Sequence, residues 1–351
     1  MPPLAPEIEL RTSPHFHSNR SVEMIMRNVV YALLPLCAFS VWNFGLSALA
    51  LILVSVLSCL VTEHLFCWLS RRKSSLGDWS VTITGILLAL TLPPGFPLWM
   101  VAVGGFVSVG LGKMAFGGLG FNVFNPALVG RAFLQACFPT AITAYSPALA
   151  KNRFTEFIPT TFTPPFLQPP PLADWIERVR VDAFSGATPL MQQKFDKVTA
   201  DWQPLFFGTV SGSAGETPAL LILLCGAYLA ARNFMDWRIA FSMLASAFVS
   251  GAAFHFLNPA VYPHPWFVLL SGGLMLGAVF MATDMVASPV TPTGVWIYGA
   301  LMGLITVVIR NLGGLPEGVM YAILLGNAVS PLIDNLTQPR VYGVHPRRRT
   351  A

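Results

Sequence analysis

The chain has 351 residues, of which 54% are hydrophobic and only 11% are charged. Ordinary soluble domains contain about 25% charged residues, so this composition excludes a soluble globular protein and predicts an integral membrane protein in a lipid bilayer. The formal net charge is +5. Its basic residues flank apolar segments, so they indicate anchors at the membrane surface and no nucleic-acid-binding face.

Apolar segments suited to membrane helices follow one another along most of the chain. A helix that crosses the hydrocarbon core needs about 20 mostly apolar residues, and shorter or broken helices are tolerated where neighbouring protein satisfies their backbone groups. The sequence therefore predicts an all-α fold with about ten transmembrane helices, some of them broken. The predicted spans are residues 28–44, 46–69, 80–92, 98–112, 125–138, 217–231, 239–257, 266–282, 295–309 and 319–336.

Basic residues in the connections predict the orientation. Residues 1–27 lack the apolar core and cleavage site of a signal peptide, so we expect them to remain as a tail. Lysine and arginine cluster at 71–73, 232–238 and 340–349, on the side of that tail, whereas the short loops on the opposite side carry none. Because cytoplasmic loops are rich in these residues, we expect both termini in the cytoplasm of a bacterium. The long loop 139–216 is then periplasmic, outside the inner membrane.

The two halves of the chain share a pattern of small residues and cations. Thr84-Gly85 opens a helix in the first half, and Ser271-Gly272-Gly273 opens one in the second. Each copy continues to a cation and then to Gly-Gly-Leu: Lys113 with 117–119, and Arg310 with 313–315. About five crossings separate the copies, an odd number, so the copies point in opposite directions. Close packing at small residues is the alternative explanation for these glycines.

We therefore expect two inverted-topology repeats of about five helices each. The expected domains are a cytoplasmic tail at 1–27, a first membrane repeat at 28–138, an outer loop at 139–216, a second membrane repeat at 217–336 and a basic cytoplasmic tail at 337–351.

Residues 182–188, Asp-Ala-Phe-Ser-Gly-Ala-Thr, lie in the long outer loop. Serine, glycine and threonine are ordinary turn residues, so this motif alone indicates a plain turn. Together with Phe-Asn-Pro-Ala-Leu-Val-Gly at 124–130, Thr283-Asp284 and the two Gly-Gly-Leu sequences, it resembles a known family along nearly the whole chain. That family comprises the D subunit of the Rnf electron-transport complex and the B subunit of the sodium-pumping NADH:quinone oxidoreductase. The short N-terminal tail, with Thr12-Ser13-Pro14-His15, is more similar to the Rnf type.

The resemblance implies a covalently bound flavin. In this family a flavin transferase joins the phosphate of FMN to a threonine hydroxyl, which corresponds here to Thr188, so the chain would carry a phosphate ester. The recognition motif around it corresponds to Asp182, Ser185, Gly186 and Ala187. The resemblance also implies a second, non-covalent flavin such as riboflavin, which no sequence feature locates.

The function implied by the resemblance is electron relay. A flavin exchanges one or two electrons, and the protein supplies its position and electrostatic environment. The chain would act with other membrane and peripheral subunits, in an enzyme complex that couples electron transfer between ferredoxin and NAD to Na⁺ or H⁺ translocation. Three alternatives remain: the quinone-reducing homologue, a small-solute transporter or channel of the urea- or ammonium-permease type, and a purely structural scaffold for redox subunits.

Ionisable residues in or beside membrane spans are functional candidates, because burying a charge is costly. We expect Glu63 and Asp284 to take part in ion coupling. Snorkelling or helix capping accounts for Lys113, Arg310 and Asp334.

Other residue patterns favour ordinary structural roles. Arg131 lies in the fifth predicted span, and an ion pair and a contact with an anionic flavin group both remain open for it. The five cysteines never form C-x-x-C, so we expect no zinc or iron–sulfur site. Glycines 104–112 follow no strand, so they predict helix packing and no NAD-binding loop. We expect no catalytic side chain and no metal site.

Overall fold

The computed structural model describes residues 21–71, 75–165, 167, 170, 175 and 187–339. All regular secondary structure in these residues is helical, which confirms the predicted all-helical fold. Six of the described helices are long and apolar enough to cross a membrane, so the chain is a multi-pass membrane protein. Of the predicted flavin-site residues, Ala187 and Thr188 are described, whereas Asp182, Ser185 and Gly186 lie outside the described residues.

The first half contains five apolar helices whose ends follow from local sequence. The side chains of Ser21 and Asn125 accept backbone N–H groups at the starts of the first and fifth helices, which satisfies donors that have no partner inside a helix. Gly45 joins the first two helices with a φ of +75°, and a Cβ there would lie 1.8 Å from the carbonyl oxygen of Arg153, so the turn requires glycine. The five helices are α1 (Val22–Phe44), α2 (Leu46–Leu69), α3 (Ser80–Leu90), α4 (Leu98–Gly110) and α5 (Pro126–Cys137).

Among the described residues, three short helices with described bounds precede the second group of apolar helices. They are α6 (Pro139–Ile142), α7 (Pro189–Met191), which continues as a π-helical turn at Gln192–Asp196, and α8 (Trp202–Phe207). The second group consists of α9 (Ala219–Ala231), α10 (Trp237–Leu257), α11 (Pro265–Leu270), α12 (Leu274–Leu276), which continues as a π-helical turn at Gly277–Met281, α13 (Pro292–Leu312) and α14 (Val319–Thr337). One hydrophobic core includes buried residues of both groups, so they fold as one body.

The predicted spans differ from the helices in two respects. Residues 266–282 were expected to form one span, but Ser271, Gly272 and Gly273 separate α11 from α12. Gly272 has a φ of +63°, a conformation that residues with a Cβ rarely adopt, so the helix breaks there. In addition, α1 begins at Val22, earlier than expected. With 11 and 13 residues, α3 and α9 are shorter than a full crossing, so the count of about ten membrane helices stays a prediction.

The internal repeat is visible in matched hydrogen bonds. The Ser58 hydroxyl of α2 donates to the carbonyl oxygen of Ala102 in α4 over 2.7 Å. In the second half, the Ser246 hydroxyl of α10 donates to the carbonyl oxygen of Ala300 in α13 over the same distance. The second helix therefore packs on the fourth in the same way in each half.

The helices end on two opposite faces, which we name the Lys113 end and the Thr188 end. At the end of α1, Asn43 donates to the carbonyl oxygen of Gly208, in the segment that follows Thr188. The chain then returns through α2, and Glu63 near the end of α2 contacts Lys113. These two antiparallel helices therefore span the distance between the two ends.

The matched helices α4 and α13 run in opposite directions. α4 leads to the Lys113 end, whereas the last turn of α13 lies at the Thr188 end, where Lys194 donates to the carbonyl oxygen of Arg310. In addition, α1 packs against α9 and α5 packs against α14, so each of these helices contacts its counterpart, as a twofold relation requires. The two halves are therefore inverted repeats.

Candidate functional site

Thr188 lies at the start of a short helix that is fixed on both sides. Its side-chain oxygen accepts the N–H of Met191 at 3.3 Å and so caps α7. Just before it, the Ser211 hydroxyl donates to the carbonyl oxygen of Ala187. Just after it, Leu190 packs in a small apolar cluster with Leu205 and Phe267. Thr188 is only 7% exposed, so its side chain is packed against neighbouring residues.

The segment after Thr188 is tied to the C-terminus of α13 by Lys194. Its ammonium group donates to the carbonyl oxygens of Arg310, Gly313 and Leu315, at 3.1, 2.5 and 2.6 Å. The last carbonyls of a helix have no partner within the helix, and a nearby cation satisfies them. Lys194 therefore holds the Thr188 segment to one membrane helix.

Next to this segment lies a buried group of charges, which we call the Arg131 cluster: Arg131, Glu216, Arg310 and Glu317. Arg131 Nη1 donates to Glu216 Oε1 at 2.9 Å, and Arg131 Nη2 donates to Glu317 Oε2. The cluster adjoins the Thr188 segment, because Leu190 contacts the Gly272 turn that also faces Arg310 and Glu317. Arg131 thus forms an ion pair, which is one of the two possibilities left open by the sequence.

Arg310 donates hydrogen bonds to backbone carbonyls at the break between α11 and α12. Its guanidinium donates to the carbonyl oxygens of Val268 and Ser271, at 2.8 and 3.0 Å. These carbonyls lie where the chain leaves helical geometry, so a buried cation compensates for the interrupted helix. Arg310 is 7% exposed, so it does not snorkel to the membrane surface; of the two roles expected for it, it takes that of a cap at the end of α11.

Lys113 is also buried, which corrects a second snorkelling expectation. Its ammonium group lies 3.0 and 2.9 Å from the two carboxylate oxygens of Glu63, and it donates to the Ser80 hydroxyl at 2.7 Å. Lys113 is 2% exposed and Glu63 is fully buried. The structure therefore brings the predicted ion-coupling residue Glu63 into a saturated ion pair. Asp334, by contrast, accepts the N–H groups of Val290 and Thr291 before α13, as expected of a cap.

Asp284 lies on the wall of a cleft at the Lys113 end. The cleft has a volume of about 110 Å³, and Lys113, Ser80 and Asn122 also line it. A water molecule occupies about 30 Å³ in the liquid, so the space suits an ion with a few waters. Its volume is below the range of about 300–1,000 Å³ that is typical of organic ligands. Asp284 and Lys113 thus share one cleft whose other walls are mostly apolar, and Glu63 lies behind Lys113.

A second cleft lies at the Thr188 end and is large enough for an aromatic cofactor ring. It has a volume of about 590 Å³, and its walls include Trp202, Phe206 and Trp266. Leu205 and Phe267, which pack against Leu190, also line it. The residues present therefore fit a flavin ring on a tether that starts at Thr188, because aromatic side chains stack on flat ring systems.

Sequence reasoning missed Glu216 and Glu317. Each lies in a connection and next to a glycine or threonine, so its local sequence resembles an ordinary loop. The one signal in the sequence was Arg131, since an arginine inside a membrane span requires an anionic partner.

Comparison with known proteins identifies the family. A family model described as the NQR2, RnfD, RnfE family matches residues 9–343. The D subunit of the proton-translocating ferredoxin:NAD(+) oxidoreductase complex of Clostridium ljungdahlii is 37% identical over 344 residues, which cover 95% of this chain and 96% of the relative. The D subunit of the Na(+)-translocating ferredoxin:NAD(+) oxidoreductase complex of Acetobacterium woodii is 38% identical over 98% of both chains.

A third relative has a less specific name. The D subunit of an ion-translocating oxidoreductase complex from Halorhodospira halophila is 38% identical over 95% of both chains. Because a family model matches almost the whole chain, and relatives align with it nearly end to end, the chain belongs to the NQR2, RnfD, RnfE family.

Proposed function

We propose that this chain is the D subunit of an ion-translocating ferredoxin:NAD⁺ oxidoreductase complex. The observation that carries the proposal is the near end-to-end match to two relatives that bear this name. The family model also covers NQR2, so the quinone-reducing homologue is the nearest alternative. The relatives named for H⁺ and for Na⁺ are almost equally similar at 37% and 38% identity, so identity alone does not choose the ion.

We further propose that Thr188 carries FMN through a phosphate ester and that the flavin relays electrons. The position of Thr188 supports this, because it is fixed at the start of α7, and the nearby Leu190 packs against Leu205 and Phe267, which line the aromatic cleft. When bound, FMN supplies one- and two-electron chemistry. The chain's own residues would position it: the Ser211 and Lys194 hydrogen bonds fix the segment around Thr188, and the aromatic side chains of the cleft would offer the ring a stacking surface.

The remaining parts of the proposal concern partners and location. A flavin transferase would recognise residues 182–188 before the complex is complete. The Thr188 end would face the periplasm, with both termini on the cytoplasmic side of the bacterial inner membrane, and other proteins of the complex would exchange electrons with the flavin there. A second, non-covalent flavin such as riboflavin would occupy another site between the helices. Glu63 and Asp284 would serve ion coupling at the Lys113 end.

A covalent flavin can be tested on the chain itself. The full-length protein is co-produced with a flavin transferase, as wild type and as Thr188→Val, Thr188→Asn and Thr209→Val. We expect flavin fluorescence in the denatured wild-type band, loss of that fluorescence in Thr188→Val, and retention in Thr209→Val, because Thr209 is an exposed threonine of the same region. Thr188→Asn keeps a side-chain oxygen that can cap α7 but has no hydroxyl to esterify, so it should also be dark, which separates loss of the cap from loss of the attachment atom.

Mass spectrometry of the peptide around Thr188 gives an independent result. An unmodified mass in the wild type, together with a dark band, would contradict the covalent flavin and favour the solute-permease alternative. If Thr188→Val lost its flavin but the assembled complex kept full ferredoxin:NAD⁺ turnover, the chain would be a scaffold and not a relay.

A further inference from the structure

The Arg131 cluster contains two carboxyl groups packed against each other. Glu216 and Glu317 lie within hydrogen-bonding reach of one another and share Arg131. Gly272 and Gly273 make room for them, since a Cβ on Gly273 would lie 2.7 Å from Glu216 Oε1 and one on Gly272 would lie 3.3 Å from Glu317 Oε1. The break between α11 and α12 therefore forms one wall of this carboxyl pair.

The charged and titratable groups that face Glu216 come from several elements. Arg131 of α5 and Arg310 of α13 are cationic, Glu317 lies in the connection between α13 and α14, and Tyr145 follows α6. Two carboxylates this close repel each other, which favours a proton on one of them, whereas Arg131 favours the ionised form. Burial of Glu216 acts in the same direction as the repulsion and is the larger effect.

Unpaired polar groups surround the pair. Among the described residues, Arg131 Nε, Arg310 Nε and the hydroxyls of Ser271 and Thr217 are buried and have no hydrogen-bond partner. Buried polar groups normally have a partner, so these donors can bind water next to the carboxyl pair. Glu216 has only 4% of its side chain exposed, whereas Glu317 has 19%, so Glu317 connects the pair to water.

We propose that Glu216 and Glu317 form a proton-binding site at the Thr188 end, in which Glu216 holds one proton and exchanges it with the adjoining water through Glu317. In the exchange, one O–H bond of a hydronium ion breaks and one O–H bond forms on a Glu216 carboxylate oxygen, with no change in oxidation state. The site lies next to the Thr188 segment but does not depend on a flavin, so it stands or falls separately from the proposed electron relay.

The site predicts a pH dependence of stability with a defined sign. Burial and the neighbouring Glu317 raise the pKa of Glu216 from 4.5 to about 8. Between these values the unfolded chain has lost the proton and the folded chain has kept it, so unfolding releases a proton and stability falls as pH rises. We therefore expect the Tm of the purified wild-type complex to fall as pH rises from about 4.5 to about 8.

Two variants and a control test this expectation. Glu216→Gln keeps the size and hydrogen bonding of the side chain but cannot titrate, so this fall in Tm should be lost. Glu317→Gln removes the neighbouring negative charge, so the fall should move to lower pH. Glu156→Gln replaces an exposed acid of the same end and should keep the wild-type profile.

Infrared difference spectra on either side of pH 8 provide a direct readout. The wild type should show the carbonyl band of a protonated carboxylic acid that disappears at high pH, and Glu216→Gln should lack that change. If Glu216→Gln retained both the band change and the wild-type Tm profile, or if the wild type showed no such band, the proton-binding site would be ruled out.

Discussion

A lysine ammonium buried within a membrane domain requires a carboxylate, and Lys113 has one in Glu63. Both carboxylate oxygens of Glu63 lie within 3.0 Å of the ammonium nitrogen. Removing Glu63 leaves Lys113 only the more distant Asp78 as a carboxylate partner among the described residues, at 4.0 Å, and breaking a buried pair of this kind costs about 3–5 kcal/mol. A transport measurement on a Glu63 variant must therefore be accompanied by a stability measurement. Asp284 lines the open cleft, so a transport measurement on an Asp284 variant needs its own control.

We expect both acids to be required for cation transport. Glu63→Ala should lower the free energy of unfolding by about 3–5 kcal/mol in a detergent titration, and Lys113→Met in the same chain should restore much of this loss without restoring transport into vesicles. Asp284→Asn should abolish transport but leave the amount of complex and its flavin content unchanged, because the amide can still accept the Val286 N–H at 3.1 Å. Unchanged transport in both Glu63→Ala/Lys113→Met and Asp284→Asn would remove these residues from ion coupling.

At the scale of helices, the matched pair α2–α4 and α10–α13 depends on close backbone approach. A Cβ on Gly105 would lie 2.4 Å from the Ser58 hydroxyl oxygen, and a Cβ on Gly303 would lie 2.3 Å from the backbone oxygen of Met243. A side chain can move more easily than backbone, so a clash at Gly105 is easier to relieve than a clash at Gly303.

We expect Gly303→Ala to destabilise the protein more than Gly105→Ala. Overpacking of this kind costs about 1–3 kcal/mol, and Gly303→Ala should lie at the upper end because it meets backbone. Gly314→Ala is the matched control, since a Cβ there meets no atom within 4 Å. Thermal unfolding of the three variants gives the order, and equal stabilities for all three would contradict close packing as the role of these glycines.

At the scale of the whole molecule, the proposed relay requires the Thr188 end to face the periplasm. Glu156 is exposed near that end, and Arg232 is exposed near the Lys113 end. In a Cys137→Ser background, which removes the exposed native cysteine, we expect a membrane-impermeant maleimide added outside spheroplasts to label Glu156→Cys. Arg232→Cys should react only after the membrane is opened. The reverse pattern would place the tether on the cytoplasmic side and contradict relay at the outer face.

The sequence predicted the features that depend on local pattern. The repeat was predicted from the matched cations and from the glycines at 85, 117–118, 272–273 and 313–314, because they recur in the same order in both halves, whereas the close backbone approach at Gly303 was seen only in the structure. Partners remote in sequence could not be predicted in this way. Lys113 and Glu63 lie 50 positions apart, and Arg131 meets Glu216 and Glu317 at separations of 85 and 186. Such pairs are formed by tertiary packing, so the two buried cations were mistaken for residues that reach the membrane surface.

The lysine that holds the end of α13 has a mechanical consequence. That helix begins at the face with the small cleft, where Asp334 accepts the N–H of Thr291 just before its first residue, and it ends under Lys194, in the segment after Thr188. One continuous helix therefore links the two faces, so a displacement of α13 at the cleft would be transmitted through Lys194 to the Thr188 segment.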